Sequence, residues 1–316
     1  MGLSKHILIA LAIGMIAGIM VYPWQSRAYT SELYPRFCAA RALLSGADPY
    51  KTCEVYYRGE LAAEYPLTTI LAFVPLSFFR NRVAASIFWA ISNSLLAFAI
   101  FRRGKPYHWL IFLSGTYWVA FAWQQFSVII TAAMLLPELL PLALLKPQIG
   151  LPVILTNLTR RRLIACAIFV ALTFIVFPTW LLSWWQRSNN YDGLIPLITL
   201  PLGPLVLLAL RRWREPDSRF LLLMACMPQR VLSDTTMLLL LPKTARQMFL
   251  LCLLSWIPGF LTYYGPGCTP EIAVHLSIVF VYLPLLAMQL FSAENMPAFL
   301  TRVMPGRLRR DIRSFS

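Results

Sequence analysis

From His6 to Phe291 the chain is a succession of apolar runs broken by short basic clusters. The runs fall at 6–22, 66–79, 84–101, 107–123, 126–145, 148–158, 163–183, 194–210, 219–241, 248–263 and 272–291. About 20 apolar residues make an α-helix long enough to cross the hydrocarbon core of a bilayer. Composition closes the aqueous alternatives. Of 316 residues 59% are hydrophobic and 13% charged, where an ordinary soluble domain carries about 25% charged residues. A cytosolic enzyme, a secreted disulfide scaffold and a disordered chain are excluded. The expected fold is all-α, a polytopic transmembrane helical bundle forming a single integral membrane domain over 1–316.

The net charge of +15 would suggest nucleic acid in a soluble chain. Here the cations cluster between apolar runs, at Arg102-Arg103-Gly104-Lys105, Arg160-Arg161-Arg162, Arg211-Arg212-Trp213-Arg214 and Arg307-Leu308-Arg309-Arg310. That is the pattern of cytoplasmic loops, so no nucleic-acid partner is expected. The termini are placed inside, with 293–316 as a basic cytoplasmic tail. The stretch 23–65 is different, because Glu32, Asp48, Glu54, Glu60 and Glu64 balance Arg27, Arg36, Arg41, Lys51 and Arg58. It is read as the first extracytoplasmic loop. Within it Leu33, Phe37, Ala40, Leu43 and Leu44 recur at helical spacing. That spacing predicts an amphipathic helix over Glu32–Ser45 lying on the membrane surface, ended by Gly46. Asp48-Pro49-Tyr50 reads as a turn. The compact plan with few long loops suits a bacterial inner membrane.

Two runs, 66–79 and 148–158, are short for a span, and Pro137, Pro141 and Pro147 interrupt the middle of the chain. Broken segments at membrane depth need cover from protein or a water-filled cavity. A cavity bordered by 66–79 and 126–158 is therefore expected, although short or tilted helices satisfy the same pattern. With the basic clusters inside, Gln124-Gln125 and Lys146-Pro147-Gln148 come near the outer face, and 66–80 and 126–145 become re-entrant.

The chain has no glycine-rich phosphate loop, no Cys-x-x-Cys or His-x-x-x-His spacing and three isolated histidines, His6, His108 and His275. No cofactor and no metal are expected. Cys38 can pair with Cys53 in an oxidising compartment, or both can remain free. Lys146, between Leu145 and Pro147, is an ionisable group in an apolar setting and is a functional candidate on that ground. It suits a phosphate as a point charge, although snorkelling to the interface reads the same way. Arg230, in Met227-Pro228-Gln229-Arg230, is a similar candidate. Glu32 stands at a helix start, where a carboxylate stays ionised and can act as a general base. An ordinary helix-start acid has the same pattern.

Ser31-Glu32-Leu33-Tyr34-Pro35-Arg36, Ala39-Ala40-Arg41-Ala42-Leu43-Leu44-Ser45-Gly46 and Asp48-Pro49-Tyr50 together resemble the first outer loop of the glycosyltransferase 87 family. These are integral membrane glycosyltransferases of the C superfamily. Glu64-Tyr65-Pro66-Leu67, Gln125-Phe126-Ser127 and Lys146-Pro147-Gln148-Ile149-Gly150 resemble its tyrosine-proline, glutamine and lysine-proline signatures. The likeness covers about residues 6–158. It implies transfer of a hexosyl or pentosyl group from a polyprenyl-phosphate-linked sugar to a glycan or glycolipid acceptor on the outer face, with membrane lipid as the surrounding partner. An outer-loop aspartate serves such enzymes as base, and counting back from Gly46 that position falls on Glu32. Within that reading Arg36, Arg41, Asp48, Tyr65, Gln124, Gln125, Lys146 and Gln148 are expected to bind substrate, and Arg230 is added to them as an ionisable group next to an apolar run. A transporter or lipid flippase and an inactive glycosyltransferase-like scaffold remain open as alternatives.

Overall fold

The computed structural model describes residues 3–24, 33–53, 65–188, 193–264 and 269–291. Four helices among them are long and apolar enough to cross a membrane, or up to five if one bent pair counts as a span. The described residues are nearly all helical, which is compatible with an integral membrane protein. Within 1–316, read above as one membrane domain, contacts group the chain into two compact units. Met1–Gly104 joins Ala120–Asp192, and Lys105–Val119 joins Gly193–Ser316.

In the first unit, α1 (Leu3–Trp24) lies along α5 (Asn81–Arg103). Gly14 and Gly18, one turn apart, face Ser86, Ala90 and Ser94, and a Cβ on Gly18 would meet the Ser86 carbonyl at 2.8 Å. Small residues are what let two helices approach in lipid, where no hydrophobic force drives them together. The other face of α1 leaves Leu8, Met15, Ile16 and Ile19 exposed.

Between these helices come α2 (Tyr34–Leu44), the single turn α3 (Pro49–Thr52) and α4 (Leu67–Phe73). The surface-lying helix expected at Glu32–Ser45 is corrected. Its helical part, α2, is enclosed by α3, α4 and the start of α5, and Pro35, Arg36, Phe37, Ala39, Ala40 and Ala42 are all buried. Alanines at three of those positions leave room for neighbours on several sides. Cys38 and Cys53, 15 positions apart in sequence, are joined by a disulfide with Cα atoms 6.1 Å apart. A bridge closing a loop of that size stabilises by about 3 kcal/mol. Cys38→Ser is therefore expected to cost that amount in detergent unfolding without reductant, and a loss well below 1 kcal/mol would mean packing alone holds the loop.

The apolar runs 107–123, 126–145, 194–210 and 219–241 do not form single helices. Each breaks where proline or a polar residue interrupts the backbone ladder, and much of the remainder winds as 3-10 helix. The run 107–123 becomes Pro106–Leu113, in 3-10 form, and α6 (Gly115–Trp123). The next becomes α7 (Ser127–Leu135) and a 3-10 segment, Pro137–Leu145, before α8 (Pro147–Asn157). Runs of eight to ten residues in 3-10 form are unusual. Beyond α8, α9 (Arg160–Val176) turns by 93° into α10 (Trp180–Ser188) at Phe177-Pro178-Thr179.

The second unit holds the 3-10 segments Gly203–Arg212 and Leu232–Leu240, with α11 (Pro216–Ala225), α12 (Ala245–Tyr264), α13 (Pro270–Ser277) and α14 (Leu283–Leu290). A π-turn at Ile278–Tyr282 joins the last two into one apolar stretch. Gly115 packs against the Ser255 backbone, and its N–H donates to Ser255 Oγ at 2.9 Å.

Candidate functional site

A ring cluster organises the first unit. Phe37, Phe73, Phe88, Phe126 and Tyr65 pack with neighbouring centroids 5.0–5.6 Å apart. They join α2, α4, α5 and the start of α7 into one apolar block. At the edge of this block stand cationic and hydrogen-bonding groups that are costly to bury.

Arg36, 7% exposed, lays its guanidinium over the Tyr65 ring at 3.9 Å. Its Nε is buried with no hydrogen-bond partner among the described residues. Stacking on an aromatic face offsets part of the desolvation of a guanidinium but leaves that N–H unsatisfied. Tyr65 in turn packs on Phe126 at 5.3 Å. On either side of Phe126, Gln125 and Ser127 are fully buried, and Gln125 Nε2 and Ser127 Oγ have no partner. Gln125 Oε1 accepts a hydrogen bond from Lys146 Nζ at 3.0 Å, and Lys146 is 3% exposed.

Local backbone chemistry explains why these residues meet. α6 ends in a Schellman motif, in which Gln125 N donates to Ala120 O and Gln124 N to Phe121 O. Gln124 occupies the left-handed position, φ 55, where glycine is usual. Backbone held in such a region tends to cluster at functional sites. Lys146 sits at the apex of a hairpin made by Pro137–Leu145 and α8. Its φ of −139 and ψ of 83 belong to neither helix, and Gly150 packs back onto the Ala143 carbonyl with no room for a Cβ.

Pro147 cannot donate a backbone N–H, so the end of the 3-10 segment keeps free carbonyls. Two threonines of α4 satisfy them: Thr68 donates to Leu144 O at 2.8 Å and Thr69 to Leu145 O at 2.5 Å. At these positions, within the expected border between 66–79 and 126–158, the two segments close directly on each other. Thr68→Val with Thr69→Val is expected to cost about 1–3 kcal/mol by orphaning those carbonyls. Thermal unfolding of the purified double variant checks it, and an unchanged midpoint would remove the clip from the hairpin.

The remaining candidates are placed as follows. Glu32 lies outside the described residues. Its neighbour Leu33 is buried, and the Leu33 carbonyl accepts from Arg36 N and Phe37 N at the start of α2. Arg41 is exposed and clamps the start of α5, donating to Ser77 O at 3.0 Å, Phe79 O at 3.3 Å and Asn81 Oδ1. Asp48 caps α3 by accepting from Tyr50 N at 2.9 Å and pairs with Lys51 at 3.7 Å. Gln148 is half-buried in the first turn of α8. Arg230 belongs to the second unit, where its N–H donates to Asp234 Oδ2 at 3.3 Å. Asp234 there is fully buried, and Gln229 donates to Met224 O at 2.9 Å and to the Tyr282 hydroxyl.

A feature that sequence reasoning missed adjoins Tyr65. The buried Tyr50 hydroxyl donates to Tyr65 O at 3.4 Å. Burial, with the Asp48 carboxylate adding to it, pushes that phenol well above its ordinary pKa, so it stays a neutral donor. Tyr50, Lys51, Ser183 and Gln186 line a cavity of about 290 Å³. On α10 the large apolar side chains Leu181, Leu182 and Trp185 point outward, and Ser183 and Gln186 line the cavity. That inverted pattern was the legible signal. No protein family, curated protein or solved structure matches this chain.

Proposed function

We propose that the protein is a membrane glycosyltransferase, of the glycosyltransferase C type, that moves a sugar from a polyprenyl-phosphate donor to an acceptor on the extracytoplasmic face. One observation carries the reading: among the described residues Arg36 Nε and Gln125 Nε2 are buried hydrogen-bond donors without partners, in one cluster with the Lys146 ammonium. Donors held dry and unsatisfied suit an anion that arrives with the ligand, and a charge-assisted bond to phosphate is among the strongest available. The resemblance of Lys146-Pro147-Gln148 and of the loop before it to such enzymes points the same way. The Cys38–Cys53 disulfide favours an oxidising exterior for that loop.

In the proposed reaction the acceptor hydroxyl gives its proton to the Glu32 carboxylate. Its oxygen bonds to the anomeric carbon as the bond from that carbon to phosphate oxygen breaks. The departing polyprenyl phosphate keeps the electron pair, and Lys146 and Arg36 hold its charge. Positioning and charge stabilisation are the sources of rate enhancement. The cavity at Tyr50, Lys51, Ser183 and Gln186 is a polar space beside this cluster and suits the acceptor.

The test is release of polyprenyl phosphate and appearance of glycosylated acceptor when the purified protein in vesicles meets polyprenyl-phosphate sugars. Glu32→Gln is expected to abolish product while the protein still inserts. Full activity of that variant would remove Glu32 from the mechanism. Absence of turnover by the unaltered protein with every polyprenyl donor would overturn the function, and lipid translocation without covalent product would replace it.

A further inference from the structure

The second unit carries a different arrangement of cations. The segment Gly203–Arg212 winds as a 3-10 helix, in which residues three apart stack in columns and each residue rises about 2.0 Å. One column, Gly203, Val206 and Ala209, is buried and leads to the half-buried Arg212. Another, Leu205 and Leu208, is exposed and leads to the exposed Arg211. The third, Leu207 and Leu210, is exposed and leads to Trp213, 51% exposed. An outward apolar column therefore ends in Arg211, about 12 Å along the helix axis from Leu205, with Trp213 on the next column. Apolar side chains below and Arg with Trp above is the profile of a surface passing from acyl chains to headgroups.

At that upper end lies a cavity of about 680 Å³, formed by Leu210, Arg211, Arg212, Trp213, Arg214 and Glu215 with Leu290 and Phe291 at the end of α14. Three arginines line it against one glutamate. Glu215 is already engaged, accepting from Arg212 at 2.6 Å and pairing with Lys243 at 3.6 Å. Arg211 and Arg214 are exposed, and the positive charge on this wall exceeds the negative. The chain that follows Phe291 does not suit as a neutralising occupant. Its Arg302, Arg307, Arg309, Arg310 and Arg313 outnumber Glu294 and Asp311.

The geometry points to this cavity as a binding site for an anionic phospholipid, its phosphate between Arg211 and Arg214 and its acyl chains along the Leu205–Leu208 column and Phe291. The site is independent of the sugar-transfer reading. It gives the protein a preference for anionic over zwitterionic lipid at one place on its surface.

The experiment uses the full chain in detergent, with phosphatidylglycerol, phosphatidylcholine and glycerol phosphate as probes and bound mass read by native mass spectrometry. Phosphatidylglycerol is expected to bind and to resist displacement by phosphatidylcholine. Arg211→Gln with Arg214→Gln is expected to weaken it about thirtyfold, the loss of two juxtamembrane cations. Arg211→Lys with Arg214→Lys should keep most of the affinity, which separates charge from any disturbance of the fold. Displacement by phosphatidylcholine at equal concentration would overturn the site in the unaltered protein, with no variant needed. So would unchanged binding to the glutamine variant, or equal affinity for glycerol phosphate, which would make the ligand a free phosphate ester.

Discussion

Lys146→Met is expected to lower sugar transfer by about a hundred- to a thousandfold, the usual cost of removing one group that stabilises a developing charge. The same substitution removes a buried charge but leaves the buried Gln125 Oε1 without its donor, so a stability loss of about 1–3 kcal/mol is expected beside it. Turnover per folded molecule separates the two roles open to Lys146, which is 3% exposed and bonded to Gln125. A structural lysine would lose stability when replaced and leave turnover per folded molecule intact. Arg36→Met should act in the same sense and, with Lys146→Met, non-additively, because both cations are proposed to hold one phosphate. Measurement of kcat and unfolding midpoint on the two single variants and the double variant decides it. Strictly additive losses would place the cations at separate sites.

Gly150→Ala is expected to destabilise the first unit by about 1–3 kcal/mol, with larger side chains costing more. It should reduce turnover further than the loss of folded protein explains. A Cβ at Gly150 would overlap the Ala143 carbonyl oxygen, so α8 must move away from Pro137–Leu145, and Lys146 at the apex moves with it. Gly259→Ala supplies the contrast. There the nearest atom is the Gly115 Cα at 3.4 Å, an ordinary contact, and replacing a mid-helix glycine in α12 by alanine gains up to about 1 kcal/mol. The two glycines thus predict shifts of opposite sign in detergent unfolding. A tolerated Gly150→Ala with full turnover would show that the hairpin apex is not held by this contact.

Much of this architecture could be read from residue patterns. Low charge and long apolar runs call for helices that satisfy their own backbone in lipid, and the described residues are nearly all helical, with four or up to five stretches able to cross a membrane. The broken segments around Pro137, Pro141 and Pro147 were legible, because proline removes a donor wherever it stands. A further signal, Gly14 and Gly18 one turn apart, was in plain view and marks where α1 meets α5. The spacing of Leu33, Phe37, Ala40 and Leu43 misled, because a helix with one apolar face and a helix enclosed on several sides share that spacing. Only the neighbours supplied by α3 and α4 distinguish them.

What the sequence determined alone is the solvent the chain demands, since hydrophobic content and the spacing of charges are properties of composition and order. Which polar groups meet was decided by the tertiary structure. Arg36 and Arg41 are indistinguishable in a helix pattern, yet one stacks on Tyr65 and the other clamps Ser77–Asn81. Their partners come from 29 to 40 positions away, and Lys146 reaches Gln125 across 21. No local rule links such separations. They are set by where aromatic packing, threonine clips and small residues allow one backbone to approach another.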